Sequence, residues 1–251
     1  MTQTIPTLSL GQGLASATGR QQFLAQLRDT AHTYGFFYLQ DHGIDAALVN
    51  DVLGLSRKFF SLPEAEKLEI AMVKSPYFRG YNRAGLEHTR GKPDWREQVD
   101  IGPEQKPLEL DGSSPTWKRL IGPNQWPAAL PEIKDRILQY QAAVTQLGIQ
   151  LTELLAEALG QKKDVFKPVY TPAPNQLLKI IRYPGRTAAE SNQGVGAHKD
   201  SGFVTILLQE KVGGLQVEGE SGWIDAPPVP GTFVINIGEL LELASLSLIH
   251  I

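Results

Sequence analysis

The residues of this chain best suited to metal chemistry are His198 and Asp200, two positions apart and just before the apolar run Phe203–Gln209. That run is rich in β-branched and aliphatic residues and predicts a strand. Residues i and i+2 of an extended chain point to the same side, so the imidazole and the carboxylate can approach one ligand. These two groups are two thirds of the facial triad that binds non-heme Fe(II) and leaves coordination positions open. The pair predicts an iron site whose third ligand is a histidine much later in the chain.

The segments that must position this pair change character along the chain. Apolar periodicity and capping residues predict four helices: Thr18–Tyr34, Asp45–Ser61, Pro63–Leu68 and Pro131–Leu159. Short apolar runs bounded by Gly or Pro predict strands: Phe36–Gln40, Gln176–Tyr183, Phe203–Gln209, Gly214–Val217, Gly222–Asp225 and Thr232–Asn236. Between Met72 and Trp126, glycine, proline and charge predict loops with a few short strands.

This order of elements predicts an α+β protein in which a helical first half leads into a β barrel of the jelly-roll kind. We expect helices and loops in residues 1–120, and the long helix with the barrel strands in residues 121–245.

Composition restricts the class of protein. The 251 residues are 41% hydrophobic and 20% charged, with a net charge of −3 and a pI near 6.0, which argues against a broad nucleic-acid surface. Cysteine is absent, so disulfides, thiolate nucleophiles and cysteine-bound metals are excluded. No secretion signal and no membrane span is predicted. We expect a soluble cytoplasmic protein with a small-molecule substrate, and oligomeric state is left open.

Several motifs in order resemble the isopenicillin N synthase-like family of Fe(II)/2-oxoglutarate-dependent oxygenases. The similarity covers nearly all of residues 5–245, and its motifs are Tyr34–Ile44, Phe59–Lys67, Arg79–Tyr81, Asp94–Gly102, Ile181–Pro184, Gly213–Val217, Gly222–Asp225 and Gly231–Gly238. The resemblance implies an incomplete double-stranded β-helix core in residues 121–245, with its last barrel strands missing. It also implies Fe(II), 2-oxoglutarate as cosubstrate and O2. It assigns His198 and Asp200 as iron ligands, and implies hydroxylation, desaturation or ring closure of a small organic molecule.

The resemblance also implies further site residues. Tyr183 is placed near the iron, where its hydroxyl binds a carboxylate, although a core tyrosine explains it equally well. Leu207 is expected to contact the cosubstrate. The loop from Arg79 to Arg96 is a candidate substrate lid, with Arg79, Tyr81, Arg83 and His88 facing the substrate; solvated loop residues are the alternative. His42 is predicted to be structural, and His32 carries no signal.

The resemblance places the third ligand roughly fifty residues after His198, followed by an Arg-x-Ser pair that binds the distal carboxylate of 2-oxoglutarate. Residues Leu246–Ile251 do not resemble the family, although His250 has nearly the right separation. The transposase end sequence of common sequencing libraries encodes the same six residues in frame. We expect residues 246–251 to derive from that adapter, which leaves the chain inactive; a genuine short strand is the alternative.

Two other functions remain open. An isopenicillin N synthase-like oxidase would keep the iron and not use 2-oxoglutarate. A non-catalytic jelly-roll binding module would have an incomplete metal site, because two ligands bind Fe(II) weakly.

Overall fold

A computed structural model describes residues 4–185, 193–219 and 222–245. In chain order the α-helices are α1 (Leu10–Leu14), α2 (Ala17–Tyr34), α3 (Ala46–Phe60), α4 (Glu64–Lys67), α5 (Ile133–Ala158), α6 (Lys167–Tyr170) and α7 (Glu239–Ala244). Short 3-10 helices occupy Leu68–Ile70, Met72–Lys74 and Thr116–Leu120. The predicted tail 246–251, with His250, lies outside the described residues.

The strands are short, as the sequence predicts. They are β1 (Thr7–Ser9), β2 (Phe36–Gln40), β3 (Gly80–Asn82), β4 (His88–Thr89), β5 (Lys92–Pro93), β6 (Glu97–Ile101), β7 (Leu178–Arg182), β8 (Val204–Leu207), β9 (Gln216–Gly219), β10 (Gly222–Asp225) and β11 (Phe233–Ile237). Helices and sheets together confirm the predicted α+β character.

The chain divides into two compact units, and each is described by itself. The first unit comprises Met1–Ala46, Ala143–Pro174 and Lys199–Ile251, and the second comprises Ala47–Ala142 and Asn175–His198. Each unit therefore draws on both halves of the sequence.

The first unit contains a four-stranded sheet in the order β1-β2-β11-β8. β1 runs parallel to β2, while β11 is antiparallel to both β2 and β8. A two-stranded hairpin of β9 and β10 adds Val217 and Ile224 to a core that also holds Ile5, Tyr38 and Val234. Burial of this apolar surface is the main favourable term that stabilises the unit.

Helix α2 illustrates how sequence fixes one of these elements. The Ser16 hydroxyl accepts a hydrogen bond from Gly19 N and begins the helix. Phe23, Leu27 and Ala31 recur at helical spacing and are buried. Gly35 ends the helix with φ of 68°, the left-handed conformation in which glycine carries no steric penalty. The next residue begins β2, so the cap sets the point at which the chain enters the sheet.

The second unit contains the three-stranded antiparallel sheet β3-β6-β7 and the hairpin of β4 and β5. All five residues of β6 are buried, including Glu97, Gln98 and Asp100. Lys67 donates to Glu97 across 2.7 Å, and Arg182 donates to the same carboxylate across 2.9 Å. A buried polar strand is stable here because charged partners surround it.

The predicted elements agree with the structure to within two or three residues at most ends. β2 and β10 have the predicted bounds, whereas β9 lies two residues later than predicted. The short elements β1, α1, α6 and α7 were not predicted. Among the described residues, no helix is long and apolar enough to cross a membrane.

Candidate metal centre

His198 is the last residue of the second unit, and its ring is oriented by its own chain. Its Nδ1 lies 2.8 Å from the carbonyl oxygen of Gly196. A carbonyl oxygen can only accept a hydrogen bond, so Nδ1 carries a hydrogen, and in the neutral ring the lone pair is then on Nε2. Metal-binding histidines usually have their second nitrogen fixed in this way.

Asp200 belongs to the first unit, where it precedes β8. Its Oδ2 accepts a hydrogen bond of 2.9 Å from the side-chain amide of Asn236 on β11. Its backbone carbonyl accepts from Glu239 N across 2.8 Å, at the start of α7. Asp200 is therefore held through both its side chain and its backbone.

The other histidines lie in different surroundings. His42 stacks on Phe233 with ring centroids 4.3 Å apart, and its Nδ1 accepts from Ile44 N. Desolvation lowers the pKa of His42, so it is a neutral structural histidine, as predicted. His32 is exposed on α2. Within residues 4–185, 193–219 and 222–245, no three His, Asp or Glu side chains gather as a metal site.

Tyr183 follows β7 and is 54% exposed, so it is not the core tyrosine of the alternative interpretation. Desolvation around the hydroxyl raises its pKa, although the neighbouring Arg96 opposes that rise. The phenol therefore keeps its proton at neutral pH and can donate a hydrogen bond. Arg96 places a positive charge beside that donor.

Leu207 is the last residue of β8 and pairs with Val234. It is partly buried and packs against the core of the first unit that contains Tyr38, Val217 and Ile224. Its apolar side chain therefore has a packing partner in the sheet.

The four predicted lid residues have different environments. Arg79 is 9% exposed and donates to the carbonyl oxygens of Tyr77 and Phe78. Tyr81 is 3% exposed, and its hydroxyl donates to Glu97 across 2.6 Å. Arg83 and His88 reach the surface, with Arg83 lying 3.6 Å from Glu64. The surface positions therefore fit a substrate-facing loop better than the two buried ones do.

Sequence reasoning missed two side chains that support the candidate ligands. One is Asn236, whose signal was a polar residue inside the apolar run Phe233–Ile237. The other is Asp94, which binds the backbone of Gly196 across 3.2 Å. Neither residue can be found from spacing, because Asn236 lies 36 residues from Asp200 and Asp94 lies 102 residues from Gly196.

The donor chemistry of these residues fits Fe(II). One imidazole with its lone pair on Nε2 and one hydrogen-bonded carboxylate are ligand types that this ion accepts. Their residue types are those of two of the three protein ligands in a facial triad.

Two family models match the chain. The model for the non-haem dioxygenase in morphine synthesis N-terminal region matches residues 5–129, and the model for the 2OG-Fe(II) oxygenase superfamily matches residues 174–248. The second match contains His198, Asp200 and Asn236.

Curated relatives extend the likeness along the chain. A 2-oxoglutarate-dependent dioxygenase, frbJ, of Dothideomycetidae sp. (strain 11243) is 39% identical over 95% of this chain and 65% of its own length. A homoarginine-6-hydroxylase of Glycine max is 35% identical over 92% of this chain and 72% of its own length. This chain spans about 65% of the length of the first relatives it matches.

Solved structures of similar proteins extend the comparison to the fold. The crystal structure of full-length Neurospora crassa T7H in complex with alpha-KG superimposes with a TM-score of 0.83 and 28% identity. The match covers 98% of this chain and 76% of that one. Family models, relatives and solved structures all give the same result: the chain belongs to the Fe(II)/2-oxoglutarate-dependent oxygenase family.

Proposed function

We propose that the full-length protein is an Fe(II)- and 2-oxoglutarate-dependent oxygenase that hydroxylates or desaturates a small organic molecule. The observation that carries this proposal is the pair of prepared ligands. The Gly196 carbonyl fixes the tautomer of His198, and Asn236 fixes the carboxylate of Asp200. Family membership supports the same chemistry.

In this proposal His198 binds the iron through Nε2 and Asp200 binds it through a carboxylate oxygen. The third ligand and the Arg-x-Ser clamp come from residues other than those described. When bound, iron and 2-oxoglutarate supply the oxidation of a substrate C–H bond by O2, with release of succinate and CO2. The protein supplies orientation and protection from water.

Tyr183 is proposed to hold a carboxylate of the cosubstrate or substrate. Its phenol stays protonated and donates to an anionic oxygen, while Arg96 adds a charge-assisted contact. Leu207 is proposed to supply an apolar wall for the cosubstrate, and the surface residues Arg83 and His88 to face the substrate from the lid.

The proposed architecture is a jelly-roll core in residues 121–245 that follows an N-terminal region of residues 1–120. The two family models support this division, because one ends at residue 129 and the other begins at residue 174. We further propose that the last barrel strands lie outside the described residues.

The first test measures iron binding by the full-length protein without oxygen. His198→Ala and Asp200→Ala should each weaken Fe(II) binding by at least about 100-fold, because each removes a direct ligand. His32→Ala is the matched control, since His32 is exposed on α2 and should leave affinity unchanged. Wild-type affinity in both ligand variants would contradict the metal assignment and favour a non-catalytic barrel.

The second test follows O2 consumption and succinate formation in the iron-loaded full-length protein. Both should require 2-oxoglutarate. Oxygen consumption that proceeds with substrate alone would replace the proposal with the isopenicillin N synthase-like alternative.

A further inference from the structure

Asp94 lies just before β6 and is 1% exposed, yet its carboxylate has four partners. Oδ1 accepts from the Gln193 side-chain amide across 2.8 Å and from Gly196 N across 3.2 Å. Oδ2 accepts from the Thr89 hydroxyl across 2.7 Å and lies 3.7 Å from an Arg96 guanidinium nitrogen. A buried carboxylate with this many donors is rigidly held.

Gly196 connects Asp94 to the proposed iron ligand through its own backbone. Its N–H donates to Asp94, while its carbonyl accepts from the His198 ring. A Cβ at position 196 would lie 2.7 Å from the Thr89 side chain, so only glycine fits there. A second link, from Trp95 N to the Gln193 carbonyl, holds the same segment against the strand across 2.8 Å.

We propose that Asp94 is a positioning residue for the iron site, which holds Gly196 so that its carbonyl fixes the ring and tautomer of His198. This inference rests on the proposed role of His198 as a ligand. It gives the Asp94 carboxylate a role in the iron site in addition to its structural place beside β6.

The charge state of Asp94 is suited to this role. Burial raises the pKa of Asp94. The hydrogen bonds from Thr89, Gln193 and Gly196, together with the charge of Arg96, lower it by more, so the net pKa lies below the usual value. At neutral pH the group is a carboxylate, which accepts backbone hydrogen bonds more strongly than a neutral acceptor does.

Asp94 also connects the candidate lid to the ligand segment. The backbone of Asp94 pairs with Glu87 and Gly85 inside the loop, at 2.8 and 2.9 Å. Asp94 therefore contacts both the loop and the segment Gln193–Gly196, and a change in the loop can reach His198 through it.

The test uses Asp94→Ala and Asp94→Asn in the full-length protein. Alanine removes all four contacts, whereas asparagine keeps an oxygen that can accept from Gly196 N. Asp111→Asn is the matched control, because Asp111 accepts similar hydrogen bonds from Ser113 and Ser114 in an exposed turn.

Three readouts separate positioning from general stability. In the metal-free protein, hydrogen exchange of the Gly196 amide should accelerate at least about tenfold in Asp94→Ala. The 15N shifts of His198 should lose the Nδ1–H signature. Fe(II) affinity should fall about 10- to 100-fold. Asp94→Asn should recover most of each loss, and Asp111→Asn should change none.

A folded Asp94→Ala protein with unchanged Gly196 exchange and an unchanged His198 tautomer would overturn the inference. That outcome is distinct from failure of the proposed function. If His198→Ala keeps wild-type iron affinity, the ligand assignment fails, although the exchange and tautomer measurements still report the contact between Asp94 and Gly196.

Discussion

Asn236 shows how a single side chain reconciles a buried strand with a charged neighbour. It is 7% exposed within β11, whose other residues are Phe, Val and Ile. An amide in that position is tolerated because it donates to Asp200. The same bond holds the Asp200 carboxylate, the proposed iron ligand, against β11.

Replacing Asn236 with leucine should therefore affect both stability and metal binding. The lost charge-assisted hydrogen bond should cost about 1.5–3 kcal/mol of unfolding free energy. Fe(II) affinity should fall about 10- to 100-fold, as measured by anaerobic titration. Gln209→Ala, which removes a bond to the Ala226 carbonyl in the same unit, should lower stability alone. Equal iron affinity in Asn236→Leu would contradict the role of this amide.

Asp100 gives a pH dependence of defined sign. It is 1% exposed; desolvation raises its pKa, and Lys179 and Gln98 only partly oppose the rise. An acid whose folded pKa exceeds its unfolded pKa destabilises the fold when ionised, so this cost disappears as pH falls through the folded value. Relative to Asp100→Asn, the wild type should gain stability between pH 7 and pH 4 in urea unfolding.

Asp111 provides the opposite control for that experiment. Hydrogen bonds from Ser113 and Ser114 lower its pKa, so its contribution is present above the unfolded pKa and is lost in acid. Relative to Asp111→Asn, the wild type should therefore lose stability as the pH falls from 7 to 4. Parallel slopes for the two variants would contradict the assignment at Asp100.

At the scale of elements, β6 depends on charges supplied by other segments. Glu97 is contacted by Lys67, Tyr81 and Arg182, and both Lys67 and Glu97 are less than 10% exposed. Breaking a buried pair leaves an uncompensated charge, which costs more than the pair contributes.

Glu97→Leu should accordingly lower the unfolding free energy by about 3–5 kcal/mol, measured by urea denaturation. Adding Lys67→Met should restore part of the loss, because the stranded ammonium is removed. Arg136→Ala tests a pair with Asp51 in which both side chains are about half exposed, and should cost less than about 1 kcal/mol. A double variant no more stable than Glu97→Leu would contradict this account.

The same strand shows where prediction from sequence stops. Periodicity and caps located α2, α3 and α5, and apolar runs located β2, β8 and β11, because those elements carry apolar side chains at regular spacing. β6 lies in the region predicted as loops with a few short strands, and its bounds could not be located, since its burial depends on partners at positions 67 and 182. The three-residue β1 has no local signal and forms by pairing with β2.

The residues of the candidate site also differ in whether the sequence alone could identify them. His198 and Asp200 could be singled out as candidate ligands because their chemistry and spacing lie within three residues, and their metal binding stays a prediction. Asn236 and Asp94 could not be found in this way, because the fold brings them to His198 and Asp200 from distant positions. Spacing can suggest candidate ligands, whereas the groups that hold them are visible only in the folded chain.

At the scale of the whole molecule, metal binding should stabilise the full-length protein. Fe(II) at 100 times its dissociation constant should add about 2.7 kcal/mol to the unfolding free energy. Thermal unfolding without oxygen should show the increase, and a chelator should reverse it. His198→Ala should abolish the shift while His32→Ala retains it. An identical shift in His198→Ala would place the ion elsewhere.

The sheet order β1-β2-β11-β8 determines when each strand can pair during synthesis of the chain. β2 ends at Gln40 and its neighbour β11 begins at Phe233, so nearly 200 residues must be translated between them. At about 5–20 residues per second, the ribosome needs roughly 10 to 40 seconds for that stretch. During this interval, of the two strands that flank β2 in the sheet, only β1 has been made. Throughout this interval the nascent chain therefore carries an apolar strand without one of its two sheet neighbours, an unpaired edge of the kind that favours aggregation.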